Sequence, residues 1–167
     1  MPNRYYFLVS SLVHLTFGKE APITRERFLS ECRKWLTEKD LLGIYGASTK
    51  VPEKSTCNNG LLSEWESFDI DLRKILSEAR EARKHAYDRV ISPTAEDILD
   101  SETPLDIENR FEKIRWEFLE EKAFDHHFDK DWLTAYFLKI QILERLAMFK
   151  KEEGQRIFAE VCEVRDE

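Results

Sequence analysis

His126 and His127 form the only adjacent histidine pair in the chain, and acids flank them in Phe124-Asp125-His126-His127-Phe128-Asp129. Imidazole and carboxylate together are the usual donor set of zinc and related metals, so metal chemistry would be sought here first. The spacing argues against it. Neighbouring residues on a helix cannot both face one point, and a tetrahedral site draws its ligands from i,i+4 pairs or from separate elements. A capped turn between two helices is the ordinary expectation, with a metal-dependent enzyme at His126/His127 as a distant alternative. His14 and His85 stand alone, and no G-x-S-x-G or catalytic-cysteine context accompanies them. The phosphate-binding patterns GxxxxGK[ST] and GxGxxG are also missing. The residues therefore predict no enzyme, no cofactor and no resident metal.

More informative are charges that fall among apolar neighbours when the sequence is projected at helical spacing. Asp69 and Arg83 lie within the apolar stripe of one predicted helix. Arg115 lies beside Phe111 and Phe118 in another, and Lys139 lies between Trp132, Leu143 and Leu146 in a third. A buried charge must be paired, or its stem must carry it out to water. Asp69 is expected to pair with Lys139 or Arg115. A docking site for the carboxylates of a partner is the functional alternative. Three tryptophans raise a parallel question. Trp116 projects away from Phe111 and Phe118, while Trp35 and Trp65 fall near predicted helix ends. Either they support a second packing layer or they anchor a partner, as exposed Trp often does.

The elements that position these residues are all predicted to be helices. From Trp132 to Phe149, thirteen of eighteen residues are apolar, leaving a narrow polar stripe through Thr134, Gln141 and Arg145. A helix so nearly apolar all round must be enclosed by others. Lys139, Glu144 and Arg145 make it too charged to span a bilayer. Residues 131–151 are thus read as the central, nearly fully buried helix of a multi-helix bundle, packed against a long amphipathic helix over 61–90. The stripe of that long helix runs through Leu61, Leu62, Trp65, Phe68, Leu72, Ile75, Leu76, Ala79, Ala86, Tyr87 and Val90.

Start signals define the rest. Thr24 caps a helix over 25–36, Thr37 with Asp40 caps a short one over 38–45, and Thr103 with Pro104 opens one running to about Phe124. Asp129 caps the central helix, and Gly154 ends it. A single turn is expected around Ala95 to Leu99 within a break at 91–103. A last short helix carries Ile157, Phe158, Val161 and Cys162. Residues 4–15 suit a short buried helix better than a strand, because nothing else in the chain alternates with period two. The stretch 46–60, rich in turn formers, reads as a mobile surface loop. The whole, 1–167, is expected to be one all-α domain.

Composition agrees with helix: 35% of the 167 residues are charged, and there are only five Gly and five Pro. A net charge of -7 disfavours nucleic acid as a partner. Cys32, Cys57 and Cys162 are odd in number and far apart, which suits a reduced, cytoplasmic setting. The aromatic-rich N-terminus lacks the pattern of a secretory leader.

Several stretches taken together resemble a known family. They are Tyr5-Tyr6-Phe7-Leu8-Val9, Trp65-x-x-Phe68 followed by Asp71-Leu72-Arg73, Arg115-Trp116, and Ala135-Tyr136-Phe137-Leu138-Lys139-Ile140 leading to Ile142-Leu143-Glu144-Arg145. The likeness is to an uncharacterised bacterial family encoded among V/A-type ATPase subunits. That family is similar to the all-helical, non-catalytic piece that joins the central stalk of the ATPase to its membrane rotor ring. The resemblance implies a non-catalytic helical subunit or accessory protein of a V/A-type ATP synthase. Its partners would be ATPase subunits, and it would lie at the inner face of the membrane without spanning it. A free-standing helical interaction module is the main rival reading.

Overall fold

In the computed structural model, which describes residues 5–50, 60–85, 92–100 and 103–149, the element that everything else surrounds is α7, Lys130–Ala147. Leu133, Ala135, Phe137, Leu138, Ile140, Ile142 and Leu143 are all buried on it. Burial on that scale excludes water from every side but one. The chain reaches α7 through α1 (Tyr6–Ser11), α2 (Arg25–Trp35), α3 (Glu38–Gly46), α4 (Leu61–His85), α5 (Pro93–Leu99) and α6 (Pro104–Phe124). Among the described residues there are helices and no strands, so the chain is an all-α multi-helix bundle. No helix among them is long and apolar enough to cross a membrane.

The starts of four helices follow from side-chain capping. Thr24, Thr37, Thr103 and Asp129 each accept a hydrogen bond from the backbone N–H three residues on, at 3.3, 3.3, 3.1 and 2.9 Å. Around α7 lie α2, α3, α4 and α6, with α6 making the most extensive contact, ahead of the longer α4. Two apolar clusters result. The larger joins Leu8, Phe28, Cys32, Ile44, Leu61, Trp65, Trp116 and Leu119 to the buried face of α7. The smaller joins Leu72, Leu76 and Ala79 of α4 to Ala95, Ile98 and Leu99 of α5 and Phe111 of α6. Where the sequence predicts a single turn near Ala95, α5 runs for seven residues, about two turns, and its buried residues close the far half of α4.

Two expectations change. The stretch 46–60 does not begin as a mobile loop: Gly46 ends α3, Ala47 is buried, and Gln141 of α7 clamps the backbone beyond it. Gln141 Oε1 accepts from Thr49 N at 3.1 Å, and its Nε2 donates to Ala47 O at 3.0 Å. Residues 51–59 lie outside the described residues. The first segment is helical but not wholly buried, since Leu8 is enclosed while Tyr6 and Phe7 face outward. Ala86, Tyr87 and Val90 of the stripe, Cys57, Cys162 and the last expected helix also lie outside the described residues.

Replacing Leu138, which is fully buried on α7, by alanine is expected to lower stability by ~2–5 kcal/mol, the usual range for such a cavity. Urea unfolding of the two proteins, followed by circular dichroism, measures the difference.

Candidate functional site

Two of the four misplaced charges, Asp69 and Arg115, converge where α4, α6, α7 and the Ala47–Thr49 backbone meet. Arg115 is 1% exposed and Asp69 4% at the side chain. Arg115 Nε donates to Asp69 Oδ1 at 2.7 Å, and its Nη2 meets the same oxygen. Arg115 Nη1 donates to Glu112 Oε1 at 2.9 Å, one turn back on α6. Arg73, one turn along α4 from Asp69, donates from Nε to Asp69 Oδ2 at 2.8 Å. Both arginines also donate to the Thr49 carbonyl, at 3.0 and 3.3 Å. From α7, Arg145 reaches Glu108 Oε2 at 2.8 Å and Glu112 Oε1 at 3.1 Å.

The surroundings explain why an arginine is used. The Arg115 guanidinium carbon lies 4.3 Å from the ring centre of Phe111 and 5.7 Å from that of Trp65. Those rings belong to the smaller and the larger apolar cluster respectively. A planar, weakly hydrated cation fits between aromatic faces while its edge donates to carboxylates; an ammonium cannot do both. Glu112 is fully buried, and its Oε2 has no hydrogen-bond partner among the described residues. Burial raises its pKa above the ordinary value, opposed by the charges of Arg115 and Arg145.

Asp69 and Arg115 are thus brought together as the sequence allows, but the other two candidates are not. Arg83 stretches out of the stripe to Asp100 and donates to the Leu99 carbonyl at 2.8 Å, tying α4 to α5. Lys139 pairs with Glu120 at 3.4 Å, and its ammonium sits 4.9 Å from the ring centre of Trp116. Burial lowers its pKa, with Glu120 opposing the shift. It faces a groove of about 420 Å³ bordered by Val9, Val13, Phe124 and Tyr136. Glu112 was missed because it follows Phe111 at the edge of the expected apolar face. Its i,i+3 spacing to Arg115 was the available signal.

The tryptophans separate as well. Trp65 and Trp116 are buried in the larger cluster, so neither is a surface anchor. Trp65 also donates from Nε1 to the Ser48 carbonyl at 3.1 Å. Trp35 remains half exposed, stacked on Phe7 at 6.0 Å. Phe7 meets Tyr6 at 5.7 Å, and Tyr6 meets Phe128 at 4.8 Å. Four rings from α1, the end of α2 and the α6–α7 turn therefore form a ladder, with Tyr6, Phe7 and Trp35 at 51%, 71% and 53% exposure. Phe128 holds φ of +57°, a conformation that bulky side chains seldom adopt, and its carbonyl accepts from Tyr5 N at 3.0 Å.

Of the histidine pair, His126 serves the turn before α7. His126 Nδ1 lies 2.7 Å from Asp129 Oδ2, while Asp129 Oδ1 caps the helix. His127 is exposed. Among the described residues no group of three or more His, Cys, Asp or Glu is placed to hold a metal ion. Burial pulls the His126 pKa down, but the Asp129 hydrogen bond and the charges of Asp129, Asp131 and Asp125 outweigh it and leave the group above its ordinary value. Cys32 is buried, its thiol pushed up to about 12, which makes it inert.

With this geometry in place, comparison with known proteins adds one match. Residues 93–165 match the family model described as Protein of unknown function (DUF2764). That stretch includes α5, α6 and α7, hence Glu112, Arg115 and Arg145, while Asp69, Arg73 and Trp35 precede it. No curated protein and no solved structure matches the chain.

Arg115→Ala leaves Asp69 to Arg73 alone and Glu112 to Arg145 alone in the interior, and is expected to cost ~3–5 kcal/mol. Glu112→Gln, which keeps an acceptor and removes a desolvated charge, is expected to cost under ~1 kcal/mol at neutral pH. Chemical denaturation of both variants checks the contrast; equal losses would refute it. A second expectation concerns pH. Because the folded pKa of His126 is raised, the stability from its protonated pair is present below about 6.5 and lost as pH rises through the folded value. Stability should fall by less than ~1 kcal/mol over that window, given partial exposure, and His126→Gln should remove the slope in melting curves.

Proposed function

We propose that the chain is a non-catalytic helical subunit or accessory protein of a V/A-type ATP synthase, working by docking at the inner face of the membrane. The observation that carries the docking role is the ladder Phe128–Tyr6–Phe7–Trp35. Rings from three separated segments are held in register at the surface, and the interior of the bundle is filled without their exposed faces. Large, stiff aromatic side chains lose little entropy on binding and supply the anchor residues of many interfaces. The partner class rests on the resemblance of motifs from Tyr5 to Arg145. Beside the ladder, α1 also borders the groove that holds Lys139, where a carboxylate from a neighbouring protein would find a poorly solvated ammonium.

Affinity capture from cells that encode this chain tests the reading. The wild-type protein is expected to recover V/A-type ATPase subunits. The double variant Phe7→Ala with Trp35→Ala should lose roughly thirty-fold or more in apparent affinity, as for two anchor residues. Its melting temperature should stay close to wild type, because both side chains are already half exposed or more. Recovery of no ATPase subunit, with a homodimer formed through the ladder, would establish the free-standing interaction module instead.

A further inference from the structure

The buried ion-pair network opens on one side into a cleft of about 240 Å³. Helical spacing explains its lining. Arg73, Ser77 and Arg80 stand at i, i+4 and i+7 on α4, and Glu108, Phe111 and Arg115 at i, i+3 and i+7 on α6. Each helix thus turns one edge to the gap, and Arg145 enters from the end of α7. Four guanidinium groups meet around one small space, against the carboxylates of Asp69, Glu108 and Glu112.

The needs of the network do not account for the fourth arginine. Arg73, Arg115 and Arg145 each hold a carboxylate, but Arg80 makes no ion pair among the described residues. Donors are also in excess. The bonds of Arg73 and of Arg145 use Nε and Nη2, leaving Nη1 of each without a protein acceptor among the described residues. The five N–H groups of Arg80 and the Ser77 hydroxyl add to these. Converging cations with spare donors favour an anion, and guanidinium pairs well with phosphate.

We infer that this cleft binds a phosphoryl group, either as free phosphate or carried by a small organic molecule. Spare donors arriving from two helices, on three separate guanidiniums, suit a tetrahedral, multiply charged oxyanion better than a planar carboxylate, which one or two guanidiniums satisfy. Arg80, Arg73 and Arg145 supply the contacts at the rim. Arg115, 1% exposed and fixed by Asp69, forms the rigid floor. The volume lies below the roughly 300–1,000 Å³ of pockets that enclose a whole ligand, so the cleft takes the charged end of one.

Titration calorimetry with inorganic phosphate, pyrophosphate and ADP, at constant ionic strength, tests this on the full chain and on Arg80→Ala. Arg80 has no ion pair to lose among the described residues, so the variant is expected to keep the wild-type melting temperature. At least one of the three ligands should bind with saturable one-to-one heat, and Arg80→Ala should weaken it roughly tenfold, the worth of one charge-assisted contact. Equal affinities for phosphate and ADP assign the free anion, and tighter ADP binding assigns an organic carrier. Absence of saturable heat with all three, or an affinity unchanged in Arg80→Ala, would overturn the assignment.

Discussion

A helix that is apolar on nearly every side can exist in water only if it is enclosed, and the enclosure of α7 governs the rest of this structure. Its narrow polar stripe decides how the neighbours are arranged. Thr134 is satisfied locally, its hydroxyl donating to the Lys130 carbonyl at 2.9 Å. Gln141 and Arg145 reach outward instead. Gln141 fixes the backbone at Ala47 and Thr49, and Thr49 in turn accepts from Arg73 and Arg115. Arg145 meets Glu108 and Glu112 on α6. Two residues of one helix thereby set where α3 ends and how α6 is rotated.

The ion pair of Arg115 and Asp69 is better understood as a fastening for register than as a source of net stability. Two charges taken out of water cost several kcal/mol each, roughly what their attraction returns. Asp69, however, can meet Arg115 only when α4 and α6 sit at one axial offset and one rotation. The rings of Trp65 and Phe111 on either side of the guanidinium link the two apolar clusters through the same side chain. A slip between α4 and α6 would leave charges unpaired in both. Apolar surfaces alone tolerate such slips far more readily.

How much of this could be read from residue order depends on the range of the interaction. Caps at Thr24, Thr37, Thr103 and Asp129 were legible because the side chain and the amide it serves are three residues apart. The pairing of Asp69 was legible because a charge inside an apolar stripe has few outcomes. Which cation it chose was decided by rotation about α6 and α7, and helical projection did not resolve Arg115 from Lys139. Projection also leaves open whether Trp116 packs or is exposed, for a related reason. The helices around α7 bury more than one face of α6, so a residue that projects off a single stripe is still enclosed. The pinned start of the 46–60 segment was hidden because its partners, Gln141, Arg73 and Arg115, are far away in sequence. Turn-forming residues describe what a backbone permits, and the donors that immobilise this one lie on three other helices.

The end of the molecule that carries the ladder departs from these rules in two ways at once. Phe128 is held at a φ that costs of order 1–3 kcal/mol for a bulky residue. A glycine there would relieve the strain, but it would remove the ring that meets Tyr6. Next to it, Phe7 and Trp35 stack on each other with most of their surface in water, although the interior beside them is well filled. Exposed apolar rings are common on folded proteins, whereas a bulky residue at positive φ is uncommon. The strain and the exposed rings meet in one contact, because the φ that costs energy at Phe128 is also the one that sets its ring against Tyr6.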